Sequence, residues 1–196
     1  DQISYDRLAQ RVVGGHGFTF DRDWWPSTRA GEPTAHWSYA YTLYLAGIYW
    51  LLGHHPLIAR LIQALTVGSL IPYLLYRIAR RIFDERTGLI AAAIGAAYLY
   101  FVHYAASLMT EAFYITALLW TIDVALRLAE RIDDPVGDPQ PSESVLLWPG
   151  VELGLAVAIT LLLRQVGVFM LAVVCLWILC RASRHGQLRP ACTAIA

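Results

Sequence analysis

The stretch VLLWPGVELGLAVAITLLLRQVGVFMLAVVCLWILC runs from Val145 to Cys180 almost without a polar break. About 20 apolar residues cross the hydrocarbon core of a bilayer, so the stretch is too long for one crossing. Arg164-Gln165 divides it, which predicts one helix over about 145–163 and a second over about 166–180. Three more runs precede it: PLIARLIQALTVGSLIPYLLY at about 56–76, GLIAAAIGAAYLYFVHYAA at about 88–106 and AFYITALLWTIDVALRLA at about 112–129. The chain therefore reads as an all-α integral membrane bundle of about five membrane helices over 56–181. Composition agrees, since 15% of residues are charged against about 25% in a soluble domain. The formal net charge is zero, so nothing points to nucleic acid as a partner. Cys175, Cys180 and Cys192 show no metal-ligand spacing and read as inert thiols.

The arginines set the orientation. Arg77, Arg80, Arg81 and Arg86 follow the first run, Arg127 and Arg131 the third, and Arg181, Arg184 and Arg189 the fifth. The loops between these clusters carry almost no positive charge. Basic loops stay in the cytoplasm, which places residues 1–55, Glu111 and Arg164 on the extracytoplasmic side. The acidic, Pro-rich DDPVGDPQPSES becomes a cytoplasmic loop, and residues 182–196 a cytoplasmic tail or the start of a further segment.

Residues 1–55 differ from the rest. Tyr5, Leu8, Ala9 and Val12 recur at helical spacing, with Asp6, Arg7, Gln10 and Arg11 opposite. Gly14-Gly15 ends that helix. A second stretch, HWSYAYTLYLAGIYWLLG, is aromatic and uncharged, a composition that favours the membrane interface. Two short interfacial helices are expected in one extracytoplasmic loop, joined by a polar segment bearing tryptophans. The polar first residues are unlike a signal peptide, and the absence of an initiator Met suggests a fragment whose preceding membrane helix lies upstream.

These residues carry a resemblance. Asp1, Tyr5, Ala9, Val12, Gly15 and Phe18 follow the order Asp-x-x-x-Tyr-x-x-x-Ala-x-x-apolar-x-x-Gly-x-Gly-aromatic. Gly53 with Ala59-Arg60-Leu61, Arg80-Arg81 with Arg86-Thr87-Gly88, Ser107 to Glu111, and Leu163-Arg164 follow in sequence. The chain thereby resembles the dolichyl-phosphate-mannose–protein mannosyltransferase-like family of membrane glycosyltransferases, of the GT-C fold, over residues 1 to 181. Where relatives commonly have Pro-Pro-x-x-Tyr, this chain reads Ala35-His36-Trp37-Ser38-Tyr39.

The resemblance implies inverting transfer of a sugar from a polyprenyl-phosphate carrier to an acceptor hydroxyl on a glycan, lipid or protein. The setting would be a bacterial plasma membrane; the chain has arginine and no lysine, which hints at a GC-rich bacterium. Asp1 would be the general base that takes the acceptor proton. Arg164 would hold the donor phosphate with its planar fork. Each residue has a plainer reading beside this one. Asp1 can cap a helix, Asp6 can be solvated or paired with Arg7 or Gln10, Glu111 can stabilise a helix N-terminus and Arg164 can reach to the headgroups. Asp6, Glu111, Tyr5 and His103 are further candidates for the site. His36 is the candidate for an acceptor contact or a divalent metal ion, whose use stays open. His54-His55 precede a proline and are a poor metal pair. Asp123 and Glu152, near the cytoplasmic helix ends, are expected to be paired or interfacial. A non-enzymatic polytopic protein, either a transporter piece or an envelope-assembly subunit, is the alternative; Gly68-Ser69 and Pro72 are its only hint of a broken helix.

Overall fold

The computed structural model describes residues 2–26, 28–133 and 143–184. Asp1 and Cys192 lie outside the described residues, as does most of the predicted acidic loop. Helix α1 spans Gln2–Val13 and α2 spans Tyr39–Leu52. Then come α3 (Pro56–Gln63), a π turn (Ala64–Gly68) and α4 (Ser69–Ile82), which together form one long rod. α5 (Glu85–Ala97) and α6 (Leu99–Ala105) follow, then α7 (Glu111–Asp133), α8 (Glu143–Leu163) and α9 (Gly167–Arg184). Every regular element among the described residues is helical.

Among the described residues, three helices are long and apolar enough to cross a membrane by themselves: Pro56–Ile82, Glu111–Asp133 and Gly167–Arg184. The expected helix at 88–106 is a bent pair instead, α5 and α6 meeting at 59°. The apolar part of α8, Leu147–Leu163, is shorter. At 1.5 Å per residue it reaches about 25 Å, against a core of about 30 Å. The five expected helices thus correspond to three single spans, one bent pair and one shorter helix.

Inside lipid, helices gain little from burying apolar side chains, so close packing through small residues matters more. α4 and α5 show this. A Cβ on Gly95 would stand 2.4 Å from Leu75 Cδ1, and one on Gly88 would stand 2.9 Å from Arg80 Cβ. At the base of the bundle, arginines join the helices. Asp123 is 0% exposed and is held by Arg77 of α4 at 3.0 Å and by Arg127 of its own helix at 3.2 Å. Arg127 also reaches Glu152 of α8 at 2.6 Å, and Trp120 donates to the same carboxylate at 3.0 Å. Arg81 pairs with Glu130 and Arg181 with Asp133. The arginine-bearing ends of α4, α7 and α9 therefore meet at one end of the molecule, in line with their alternation along the chain.

The other end carries residues 2–55, packed into one core with Ala59, Leu108, Ala117 and Leu163 of the bundle. Leu8, Ala9, Phe20, Trp37, Tyr41 and Leu45 are buried in it. α1 stops where the sequence predicts. The Gly14 N–H donates to Gln10 O at 2.9 Å, His16 N–H to Arg11 O at 3.0 Å, and Gly15 takes φ +77°, the left-handed step that glycine makes without a Cβ clash. The segment that follows folds back under α1. Phe20 stacks on Trp24 at 4.9 Å, Trp24 Nε1 donates to Ser4 Oγ at 2.9 Å, and Arg11 donates to Thr19 through both Nε and Nη2. α2 begins three residues later than its aromatic stretch, because Ser38 caps it: Ser38 Oγ accepts from Tyr41 N–H at 3.3 Å.

Candidate functional site

A cavity of about 740 Å³ opens between residues 2–55 and the bundle. Two segments form most of its wall, residues 35–39 before α2 and residues 161–166 at the α8–α9 turn, with Tyr5 and Thr110 completing it. Ser38 brings the two segments together: besides capping α2, its hydroxyl donates to Leu162 O at 3.2 Å. That contact joins residues far apart in the chain and has no local sequence signal.

Arg164 sits on the cavity wall. Its Nη2 donates to Glu111 Oε1 at 2.5 Å, and Nε and Nη2 reach Thr110 Oγ1 at 3.4 and 3.2 Å. The guanidinium carbon lies 5.6 Å from the Tyr114 ring centre, within cation–π range. Arg164 is therefore held from one side by α7 and the link before it, while 42% of its side chain stays open. Glu111 is the more enclosed partner, and its Oε2 is buried without a hydrogen bond. A carboxylate oxygen of that kind is costly to keep dry.

Tyr5 brings α1 to the same wall. Its ring meets Trp37 and Tyr41 edge-on at 5.3 and 5.0 Å. Burial pushes its hydroxyl above the usual phenol range, against the opposing pull of hydrogen bonds from the Ser38 N–H and Thr110. The phenol thus remains neutral and able to donate. His36 lines the cavity, exposed, with its ring edge-on to Trp37 at 5.2 Å.

The cavity thus collects Arg164, Tyr5 and His36, with Glu111 held against Arg164. Asp6 lies elsewhere. Its Oδ2 accepts from Gln10 at 2.9 Å, while Oδ1 accepts from the Tyr49 hydroxyl at 2.6 Å and meets His54 Nε2 at 2.9 Å. His103 is exposed on α6 against Tyr104 and does not line the cavity. Thr110 and Ser38 are the members that sequence reasoning left out. Thr110 stands directly before Glu111, and that position could have marked it. No group of three or more His, Cys, Asp or Glu converges as metal ligands among the described residues. The chemistry this wall offers is a fixed cation beside a polar, partly open chamber, suited to an anionic group.

A bundle of apolar helices, capped at one end by a folded aromatic segment with a cationic cavity beside it, defines a multi-pass membrane protein. The family model for dolichyl-phosphate-mannose-protein mannosyltransferase matches residues 38–193. The chain belongs to that family and, with it, is a membrane glycosyltransferase of the GT-C type. Searches of curated proteins and of solved structures gave no match.

Proposed function

We propose that the protein transfers a sugar from a polyprenyl-phosphate carrier to an acceptor hydroxyl, with inversion, on the extracytoplasmic side of a bacterial plasma membrane. The observation that carries this reading is Arg164, fixed by Glu111 and Thr110 on the wall of an open cavity. The acceptor oxygen attacks the anomeric carbon as the bond to the carrier phosphate breaks. The acceptor proton passes to the carboxylate of Asp1, which acts as general base. The phosphate leaves with an added negative charge, and the Arg164 guanidinium meets it with parallel N–H donors. The carrier's isoprenoid tail stays among the helices while its phosphate stays at headgroup depth.

The side of the membrane rests on the arginine distribution. The end with Arg77, Arg81, Arg127 and Arg181 faces the cytoplasm, so the cavity faces out. Glu111 keeps Arg164 oriented. His36 and Tyr5 stand where an acceptor would lie.

The test replaces Asp1 by Asn in the full-length protein and follows sugar transfer from a polyprenyl-phosphate donor in membranes, with insertion checked. Loss of transfer at normal insertion is the expected result. Retained transfer would move the base elsewhere, with Glu111 next in line. A wild type that transfers nothing from any such donor would sink the proposal.

A further inference from the structure

Gln63 lies inside the longest spanning rod and is 0% exposed. A primary amide at such depth is expensive unless its hydrogen-bonding groups are met. Here nearly all of them are. Nε2 donates to Tyr104 O at 2.9 Å and to Ser107 O at 2.8 Å, and Oε1 accepts from the Tyr41 hydroxyl at 2.9 Å. The assignment of nitrogen and oxygen is forced, because both carbonyls can only accept and the phenol supplies a donor.

None of these three partners lines the cavity, but each adjoins a part of the chain that does. Tyr104 and Ser107 lie at the end of α6 and in the link to α7, where their carbonyls also accept backbone N–H groups, Tyr104 O from Ser107 at 3.4 Å and Ser107 O from Met109 at 2.8 Å. That link continues into Thr110 and Glu111, the two groups that hold Arg164. Tyr41 is edge-on to Tyr5, which lines the cavity. One amide therefore ties the link that orients Arg164 to the aromatic core that carries Tyr5. The local geometry is arranged for it. The π turn starts at Ala64, directly after Gln63, and Gly68 lets α6 come close: a Cβ there would stand 2.9 Å from Ala105 Cβ.

We infer that Gln63 is a positioning residue for sugar transfer, setting the place of Arg164 by holding the α6–α7 link. This rests on the reading of Arg164 as the donor-phosphate group. Loss of the amide alone leaves the Tyr41 hydroxyl without this acceptor and both carbonyls without these donors, so a loss of stability is expected whichever role Gln63 has, and the test must read more than stability.

The test uses Gln63→Met in the full-length protein, a side chain of similar length without donors. Two measurements are made. In transfer assays, KM for the polyprenyl-phosphate sugar rises by about tenfold, the scale on which contacting groups couple, while KM for the acceptor stays unchanged. Adding Gln63→Met to Arg164→Lys then costs little beyond Arg164→Lys alone. Equal losses toward both substrates, or additive losses in the double variant, would overturn the inference. The second measurement is amide hydrogen exchange in detergent. Faster exchange confined to residues 104–111 supports the positioning role; unchanged exchange there, or faster exchange throughout, defeats it. If the wild type transfers nothing from such a donor, the proposed reaction is what fails, and the exchange pattern alone decides the role of Gln63.

Discussion

Replacing Arg164 by Lys separates charge from geometry. The Arg164 side of its pair with Glu111 is 42% open, and lysine keeps a charge beside Glu111, so the pair's share of stability should change by no more than about 1 kcal/mol. The variant should therefore insert and fold as the wild type does. Its chemistry should not survive as well. The arginine side chain makes three hydrogen bonds, 2.5 Å to Glu111 and 3.2 and 3.4 Å to Thr110, and its plane fixes how the remaining N–H groups point. An ammonium has no plane, and one point charge must serve either Glu111 or the phosphate. Losing an aligned donor at a developing charge costs about 10²–10³ in kcat, or about 2.7–4 kcal/mol. Since lysine keeps the charge, the lower end applies, and we expect about a hundredfold loss of transfer for Arg164→Lys. Arg164→Gln also removes the charge; a unit interaction at about 4 Å with an effective dielectric near 20 is worth about 4 kcal/mol, so a loss of about a thousandfold is expected there. The assay is transfer from a polyprenyl-phosphate sugar in membrane vesicles, normalised to inserted protein. Arg164→Lys retaining more than a third of wild-type transfer, with the same dependence on donor concentration, would refute the role given to this side chain.

Two further substitutions probe the frame. Asp123→Asn leaves Arg77 and Arg127 facing a neutral amide in a buried place, and should cost about 3–5 kcal/mol in reversible denaturation in detergent micelles; a change below about 1 kcal/mol would mean the network does not hold α4, α7 and α8 together. Gly68→Ala drives a methyl into Ala105 and should cost about 1–3 kcal/mol, most of it recovered in Gly68→Ala with Ala105→Gly, as read from melting temperatures.

The helices and their direction were legible in the sequence because each rests on local pattern. Apolar runs mark lipid-facing rods, arginines recur at one end, and Gly14-Gly15 stops α1. The bend at Tyr98 was not legible. The run 88–106 is apolar throughout, and hydropathy does not record that Tyr98 takes ψ +110°. The site was partly legible. Glu111 and Arg164 were each marked by being charged at a membrane boundary, but their 2.5 Å contact spans 53 positions and depends on how α7 meets the α8–α9 turn. The same holds for Ser38 with Leu162 and for Gln63 with Ser107. Asp6 shows the converse. Its partner Gln10 lies one turn on, and pairing with it was readable, whereas Tyr49 and His54 come from 43 and 48 positions away.

The π turn has a consequence for the phase of the longest rod. Ala59, Gln63, Val67 and Ile71 are all buried and stand at steps of four. An α-helix turns about 100° per residue, so positions four apart creep about 40° around the axis at each step, roughly a third of a circle over the three steps. A wider turn at Ala64–Gly68 advances less per residue and takes up part of that creep, which keeps the four on one edge. The extra residue works as a vernier between two neighbours, matching the upper half of the rod to Tyr41 and the α6–α7 link and the lower half to α7. Tightening the turn into regular α-helix without removing a residue would then act as a rotation. Everything below would swing around the axis, and Arg77 would leave Asp123 without its partner on α4.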